Sequence, residues 1–216
     1  MDAPRNHREW QMETTTNMKN SAEKPVLVFA THNPNKAREV QQMLGDAYEV
    51  KTLTDIGCNE AIPETAETLE GNARIKAMHV VEHYGLDCFA DDTGLEVDAL
   101  NGRPGVRTAR YAGENADAEQ NMAKLLEELG STENRGAQFR TSICLVRSGV
   151  EERVEGVCKG RIAEERCGAD GFGYDPVFIA EGETRTFAEM SSAEKNAISH
   201  RGIAVRRMVE TLLASH

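Results

Sequence analysis

The sequence has no long apolar run and no surplus of basic charge. No stretch of 18 apolar residues occurs among the 216 residues, so we expect no membrane span. Residues 1–24 lack an apolar core and do not resemble a secretory signal peptide. Lysine and arginine number 25 against 36 acidic residues, a formal net charge of −11. This balance argues against binding to a nucleic-acid polymer, but not against a small anionic ligand that arrives with a divalent cation.

The familiar cysteine and glycine motifs are missing as well. The five cysteines are odd in number and show neither CxxC nor zinc-ligand spacing, so we expect reduced thiols in a cytoplasmic protein. They are Cys58, Cys88, Cys144, Cys158 and Cys167. No GxxxxGK[ST] occurs, and no GxGxxG stands where a dinucleotide fold needs it. A P-loop and a dinucleotide-binding fold are therefore not expected.

What remains is the composition of an ordinary globular protein, with 39% hydrophobic residues. Aromatic residues make up 5%, and the one tryptophan, Trp10, lies in a polar N-terminal stretch. We predict a flexible N-terminal tail over residues 1–24 and one folded domain over residues 25–216.

Apolar periodicity predicts strands and helices in mixed order. The predicted strands are 26–30, 88–90, 137–147 and 151–160, and the predicted helices are about 36–44, 72–84, 117–129 and 202–214. We expect the last helix to bury Val205, Met208, Val209, Leu212 and Leu213. This mixture indicates the α/β class with a mixed sheet.

Asp91 and Asp92 follow the apolar run 88–90, at the C-terminal end of the predicted strand. Adjacent carboxylates repel each other unless a cation lies nearby, and oxygen ligands suit Mg²⁺. One carboxylate could bind the metal while the other accepts a proton from water. Glu64 could complete such a site. Alternatively, the aspartates form a solvated turn, and the acids between 64 and 70 favour a helix N-terminus.

Two further segments carry candidate ligand-binding groups. Residues 31–36 (THNPNK) join the first strand to the first helix, and such a turn offers backbone N–H groups and Lys36 to a phosphate. Residues 171–176 (GFGYDP) place Phe172 between glycines, where an open ring could stack on a base. The alternatives are a polar turn and a glycine-rich turn with a buried ring.

Residues 191–202 (SSAEKNAISHRG) begin with a capping box and contain three donors. Lys195, His200 and Arg201 could contact base carbonyls or phosphate. His200 is as consistent with a structural histidine as with a functional one.

Five blocks, in this order, resemble the inosine/xanthosine triphosphate pyrophosphatase family. They read THNPNKAREV, PETAETLEGNARIKA, FADDTGLEVDALNGRPGVRTARYAG, GADGFGYDPVF and SSAEKNAISHRG. The resemblance implies an α/β protein with an elongated mixed central sheet, flanking helices and two lobes around a nucleotide-binding cleft. It also implies a Mg²⁺-dependent homodimer that hydrolyses ITP, dITP and XTP to the monophosphate and pyrophosphate.

The resemblance also assigns residues. Asp92 corresponds to the proton acceptor, and Glu64, Asp91 and Asp92 to the metal ligands, although variation near residues 64–70 leaves the choice of glutamate open. The implied substrate-binding residues are Thr31, His32, Asn33, Pro34, Asn35, Lys36, Thr93, Phe172, Gly173, Tyr174, Asp175, Lys195, His200 and Arg201.

Two other functions stay open at this point. The first is a related pyrophosphatase acting on pyrimidine or modified nucleotides. The second is a nucleotide-binding sensor that kept the pocket without the chemistry, against which the presence of both Asp91 and Asp92 speaks.

Overall fold

The computed structural model describes residues 24–214, which contain seven strands and five helices. In chain order these are β1 Val26–Phe29, α1 Pro34–Leu44, β2 Glu49–Thr52, α2 Leu69–Tyr84, β3 Cys88–Val97, β4 Pro104–Gly105, α3 Ala118–Leu129, β5 Gly136–Arg147, β6 Val150–Ile162, β7 Phe178–Ala180, α4 Ser192–Ile198 and α5 His200–Ala214. The predicted tail, apart from Lys24, and Trp10 lie outside the described residues.

One curled mixed sheet organises this part of the chain. Its strand order is β2–β1–β3–β5–β6–β7, with β4 paired to β3. β1 runs parallel to β2 and β3, whereas β3, β5, β6 and β7 pair antiparallel. The predicted α/β class with a mixed central sheet is therefore confirmed.

Three helices begin earlier than the apolar periodicity predicts, because their first turns carry few apolar residues. α1 begins at Pro34, where a proline loses no helical hydrogen bond. α2 begins at Leu69 rather than residue 72, because Thr68 caps it by accepting from the Gly71 N–H. α5 begins at His200 rather than residue 202. Among residues 24–214, no helix is long and apolar enough to cross a membrane.

The strand expected to end at Ala90 instead continues through both aspartates to Val97. Asp91 pairs with Ile143 and Asp92 with Ser142 in the antiparallel ladder to β5. The alternative of a solvated turn at the two aspartates is therefore wrong. The strand tolerates two buried carboxylates because helices on both faces supply polar partners to them.

Helices pack on both faces of the sheet. On one face, α1 and α5 cover a cluster in which Phe29 stacks on Phe89 at 4.4 Å between ring centroids. On the other face, Ala73, Ala77 and Val80 of α2 pack against β1, β3 and β5. A third cluster, with α3, fills the far end of the long strands.

The apolar face predicted for α5 is partly correct. Val205, Met208 and Leu212 are buried, whereas Leu213 is 68% exposed. Leu213 follows the last buried position directly, and one helical step of about 100° turns it away from the core.

Candidate active site

A cleft of about 540 Å³ opens where α1, α2, α4 and α5 approach the middle of the sheet. Fifteen of the seventeen predicted site residues line it, and Pro34 and Asp91 do not. Pro34 opens α1 beside the cleft, and Asp91 points to the other side of the sheet. Predicted site residues that are up to 170 positions apart (Thr31 to Arg201) therefore meet in one cavity.

The acidic end of the cleft is built around Asp92 and α2. The Asp92 carboxylate accepts from the Asn72 side-chain amide at 3.1 Å and from the Thr93 N–H at 3.0 Å. Lys76, one turn after Asn72, donates to Glu64 at 2.6 Å and lies 3.9 Å from Asp92. One ammonium thus lies between two carboxylates that face the same cavity.

The environment moves the pKa values of these groups in opposite directions. Burial raises the pKa of Asp92, and the neighbouring Glu64 carboxylate adds to the rise, against the opposing effect of Lys76. Burial would also raise the pKa of Glu64, but the charge of Lys76 holds it below its usual value. The environment therefore favours the protonated form of Asp92 and the ionised form of Glu64.

The structure separates the three candidate glutamates near α2. Glu64 lines the cleft, and its second oxygen lies 3.5 Å from Arg110. Glu67 is exposed, and Glu70 binds Arg140 at 2.6 Å. Glu64 is the one of these glutamates that faces Asp92.

Asp91 points to the opposite face of β3 from Asp92, because successive side chains of a strand alternate. It is 2% exposed and accepts from Lys36 at 2.7 Å and from Arg201 at 3.1 Å. Burial alone would raise the pKa of Asp91, but these two cations hold it well below its usual value. Adjacent aspartates therefore do not form one shared carboxylate pair here.

The turn 31–36 does not offer its amides freely to an anion. Asn33 caps α1 and accepts from the N–H groups of Asn35 and Lys36 at 3.0 and 3.2 Å. The N–H of Asn33 itself donates to the Thr31 hydroxyl at 3.1 Å, and Pro34 has no N–H. Three of the backbone donors that were expected to meet a phosphate are therefore already partnered within the turn. The Lys36 ammonium and the polar side chains of the turn remain as groups that can contact a phosphate. Burial lowers the pKa of Lys36.

Side chains of α1, as well as of α4 and α5, form the basic end of the cleft. Glu39 of α1 accepts from Lys195 at 2.7 Å and from Arg201 at 2.6 Å. Lys195 also donates to Asp175 at 2.7 Å. Buried Lys195 and Arg201 are thus fixed in direction by carboxylates behind them.

Phe172 is half-buried rather than open. The Lys195 ammonium lies 4.6 Å from the centre of its ring, and the Arg201 guanidinium 5.6 Å. The aromatic ring and the two cations therefore form one continuous surface at this end of the cleft.

His200 lines the cleft at the start of α5, with its ring stacked 4.4 Å from that of Phe139. Burial, then the charges of Arg201 and Lys195, keep its pKa well below the usual value, so the imidazole is neutral. Its Nδ1 is buried without a hydrogen-bond partner among the described residues. His200 therefore combines a structural contact with a free polar atom at the site.

The loop around Phe172 is held by Asp175. Its carboxylate accepts from the Phe172 N–H at 2.8 Å, and burial raises its pKa. Gly171 has φ +81°, and a Cβ there would overlap this carboxylate, so the turn requires glycine. The Tyr174 hydroxyl donates to the Thr108 carbonyl at 3.0 Å, which ties the loop to the opposite wall.

Three residues of the site escaped the sequence reasoning: Glu39, Asn72 and Lys76. Asn72 and Lys76 are four apart within α2, and Glu39 stands three after Lys36, so each lies on the same helix face as a partner. That spacing was the available signal, but only the fold shows which helix faces meet at the cleft.

Comparison with known proteins gives consistent matches. The Ham1 family model matches residues 27–211. The chain is 52% identical over 189 residues to the dITP/XTP pyrophosphatase of Flavobacterium johnsoniae, covering 88% of this chain and 98% of that one. It is 46% identical over 191 residues to the enzyme of the same name from Bacillus subtilis, covering 87% and 96%.

Solved structures agree in fold. The Staphylococcus aureus Ham1 protein matches with a TM-score of 0.80 and 36% identity, over 88% of this chain and all of that one. The nucleoside-triphosphatase / dITP/XTP pyrophosphatase from Mycobacterium abscessus matches with a TM-score of 0.68 and 45% identity, over 87% and 98%.

Proposed function

Because this chain belongs to the Ham1 family, we propose that it hydrolyses dITP, ITP and XTP to the monophosphate and pyrophosphate, and so removes these purine nucleotides from the nucleotide pool. The observation that carries the proposal is the cleft itself. A pair of carboxylates, Glu64 and Asp92, lies at one end, and the Phe172–Lys195–Arg201 surface lies at the other. A nucleoside triphosphate has the matching order of phosphates and base.

The acidic end supports Mg²⁺ as the cofactor. Glu64 and Asp92 offer hard oxygen donors to the cleft, and the Lys76 ammonium lies between them. When bound there, the ion would neutralise charge on the phosphates. Asp91, the third expected ligand, is held by Lys36 and Arg201 on the other face, and we assign it the positioning of those two cations.

Asp92 is the proposed proton acceptor. Asn72 and the Thr93 N–H fix its two oxygens, and its raised pKa makes it more basic than an ordinary aspartate. It orients a water and takes its proton while the water oxygen bonds to the α-phosphorus. The bond from the α-phosphorus to the bridging oxygen breaks, and pyrophosphate leaves near Lys36.

The basic end supports selection by the purine 6-position. Hypoxanthine and xanthine present a carbonyl acceptor there, which Lys195 or Arg201 can address as donors. Adenine presents an amino donor there, which cannot accept a hydrogen bond from either side chain. A site of this kind rejects the wrong base by up to roughly 10⁴-fold.

Two further parts of the proposal follow from the resemblance. We propose a homodimer, for which light scattering should give twice 23.8 kDa. We also propose that the enzyme works in the cytoplasm on free nucleotides, with neither nucleic acid nor membrane as a partner.

Asp92→Asn tests the chemistry. We expect dITP still to bind in the presence of Mg²⁺, because the side chain keeps its size and Glu64 remains as a metal ligand, and pyrophosphate release to fall by about 10²–10⁴-fold. Asp46→Asn, on a side chain that is 97% exposed, is the control and should leave turnover unchanged.

Undiminished turnover in Asp92→Asn would remove that residue from the mechanism. Orthophosphate in place of pyrophosphate would contradict cleavage between the α and β phosphates. A panel of dITP, ITP, XTP, GTP, ATP, dTTP and UTP tests the substrate, and preferred turnover of a pyrimidine nucleotide would contradict the purine assignment.

A further inference from the structure

A second cluster of possible metal ligands lies outside the cleft, where the segment after β2 meets α2. The Cys58 sulfur, a Glu60 carboxylate oxygen and a His79 ring nitrogen all lie within 4.8 Å of one another. Sγ of Cys58 is 3.8 Å from Nε2 of His79, and that nitrogen is 3.3 Å from Oε1 of Glu60. The mechanism above uses none of these three side chains.

These distances match the edges of a small tetrahedral site. Zinc bonds of ~2.3 Å to sulfur and ~2.0 Å to nitrogen, set at a tetrahedral angle, place the two ligand atoms roughly 3.5 Å apart. The same angle places a nitrogen and an oxygen ligand about 3.3 Å apart. The side chains therefore need only small adjustments to share one ion.

Burial is graded across the cluster. Cys58 is 1% exposed and the His79 side chain 16%, whereas the Glu60 side chain is 69% exposed. The ring of His83, one turn further along α2, is exposed and lies 4.4 Å from that of His79 at an interplanar angle of 42°. Cys58 and His79 are thus held by the fold, and Glu60 completes the group from the surface.

We propose that Cys58, Glu60 and His79 bind one Zn²⁺, with water in the fourth position. Thiolate, imidazole and carboxylate together suit zinc, whereas Mg²⁺ prefers a shell of oxygens. The protein therefore has two chemically distinct cation sites. Binding releases the thiol proton of Cys58, since the thiolate is the ligand.

The zinc site is connected to the cleft through the backbone. Nε2 of His32, in the turn 31–36, donates to the Glu60 carbonyl at 2.9 Å. Cys58 and Glu60 belong to the same segment as Glu64, and His79 belongs to α2 with Lys76. Zinc would fasten this segment to α2, so its role is to stabilise the fold beside the site rather than to take part in hydrolysis.

Cobalt is the probe that separates the two sites, because only the Cys58 site contains sulfur. The full chain is titrated with Co²⁺ in excess Mg²⁺, which occupies the carboxylate site. We expect one Co²⁺ per chain with a thiolate-to-cobalt charge-transfer band, displaced by one Zn²⁺. Zn²⁺ should also raise the melting temperature, because it binds the native state.

Variants locate the ligands. Cys58→Ser should abolish the sulfur band and the Zn²⁺-dependent rise in melting temperature, and His79→Gln should weaken Zn²⁺ binding at least about tenfold. The matched controls are Cys167→Ser, on a part-exposed thiol elsewhere, and Glu82→Gln, on an exposed acid of α2. Both controls should bind like the parent.

The absence of a sulfur band, its survival in Cys58→Ser, or unchanged affinity in His79→Gln would each overturn the proposal. Mg²⁺-dependent activity shows that each variant is folded. Should Cys58→Ser fail to fold, Glu60→Gln at the exposed ligand replaces it, and a weakened Zn²⁺ affinity is the expected result. Unchanged affinity there would count against the site.

Discussion

At the residue scale, the two neighbouring carboxylates of β3 lie in different electrostatic environments. Asp91 is enclosed by Lys36 and Arg201, whose charges stabilise its ionised form. Asp92 faces the cleft with its pKa raised by burial. Alternation along one strand thus gives two adjacent aspartates opposite electrostatic environments, one holding cations and one suited to accepting a proton.

Asp91→Asn should destabilise the protein by about 3–5 kcal/mol, because it leaves the largely buried Lys36 without its counter-charge and Arg201 with only Glu39 opposite it. The pKa of Asp91 is lower in the folded than in the unfolded chain, where it is near 4. The stabilisation of the fold by ionised Asp91 is therefore complete above about pH 4. It is lost as the pH falls through the pKa that Asp91 has in the folded protein.

Urea unfolding of parent and variant at neutral and acid pH measures this difference. Asp46→Asn, at an exposed aspartate, should change the free energy of unfolding by less than about 0.5 kcal/mol. Equal stability of Asp91→Asn and the parent at neutral pH would contradict the assignment.

Lys76→Met should move the acid limb of the kcat/KM profile to higher pH. The ammonium of Lys76 opposes the rise in the pKa of Asp92, so its removal leaves that pKa higher still. We also expect kcat/KM at neutral pH to fall by about tenfold or more. The substitution removes the hydrogen bond from Lys76 to Glu64, and a hydrogen bond to a charged group stabilises the arrangement that contains it by roughly 1.5–3 kcal/mol. Lys124→Met, on α3, is the control. An unmoved acid limb would show that Asp92 is not the titrating base.

At the scale of elements, the site depends on a close contact between β6 and the start of α5. Gly156 of β6 faces the helix, and a Cβ at this position would overlap the His200 carbonyl oxygen and approach the Ala204 nitrogen to 2.5 Å. The glycine therefore sets how near α5, and with it His200 and Arg201, can come to the sheet.

Gly156→Ala should lower stability by about 1–3 kcal/mol through overpacking. It should also reduce kcat/KM, because the backbone that must move carries His200 and Arg201. In the control, Gly136→Ala, the crowding atom is the end of the Asp98 side chain, which can rotate away. Thermal unfolding and dITP turnover measure both, and equal effects of the two substitutions would argue against the β6–α5 contact.

At the scale of the whole molecule, charge is divided along the chain in the way that the cleft is divided in space. Residues 60–98 hold ten acidic and two basic residues, a charge of −8, whereas residues 185–207 hold five basic and two acidic, a charge of +3. The first segment supplies Glu64 and Asp92, and the second supplies Lys195 and Arg201. Although the net charge of the whole chain is −11, the cleft therefore has an acidic end and a basic end.

A chain that begins at Lys24 should keep its dITP turnover within about twofold and its melting temperature, because truncation outside the packed elements is usually tolerated. The family match begins at residue 27, and the cleft lining begins at Ala30. Turnover and thermal unfolding of the shortened chain measure this. A large loss of either would assign the first 23 residues a role in the active protein.

The sequence by itself determined the features that repeat locally or stand in a fixed order. Apolar periodicity predicted α3, the paired strands β5 and β6, and the mixed α/β class. The order of five polar blocks indicated the family and fifteen residues of the cleft. These signals are local, because helix and strand periods and caps depend on near neighbours in the chain.

Only the tertiary structure decided which groups act together. It separated Asp91 from Asp92, placed Glu64 rather than Glu67 or Glu70 in the lining of the cleft, and brought Glu39 to Lys195 and Lys76 to Glu64. It also placed His79 beside Cys58. These contacts join residues from 12 to 156 positions apart, and their geometry follows from how helices pack on a curled sheet, which no local pattern records.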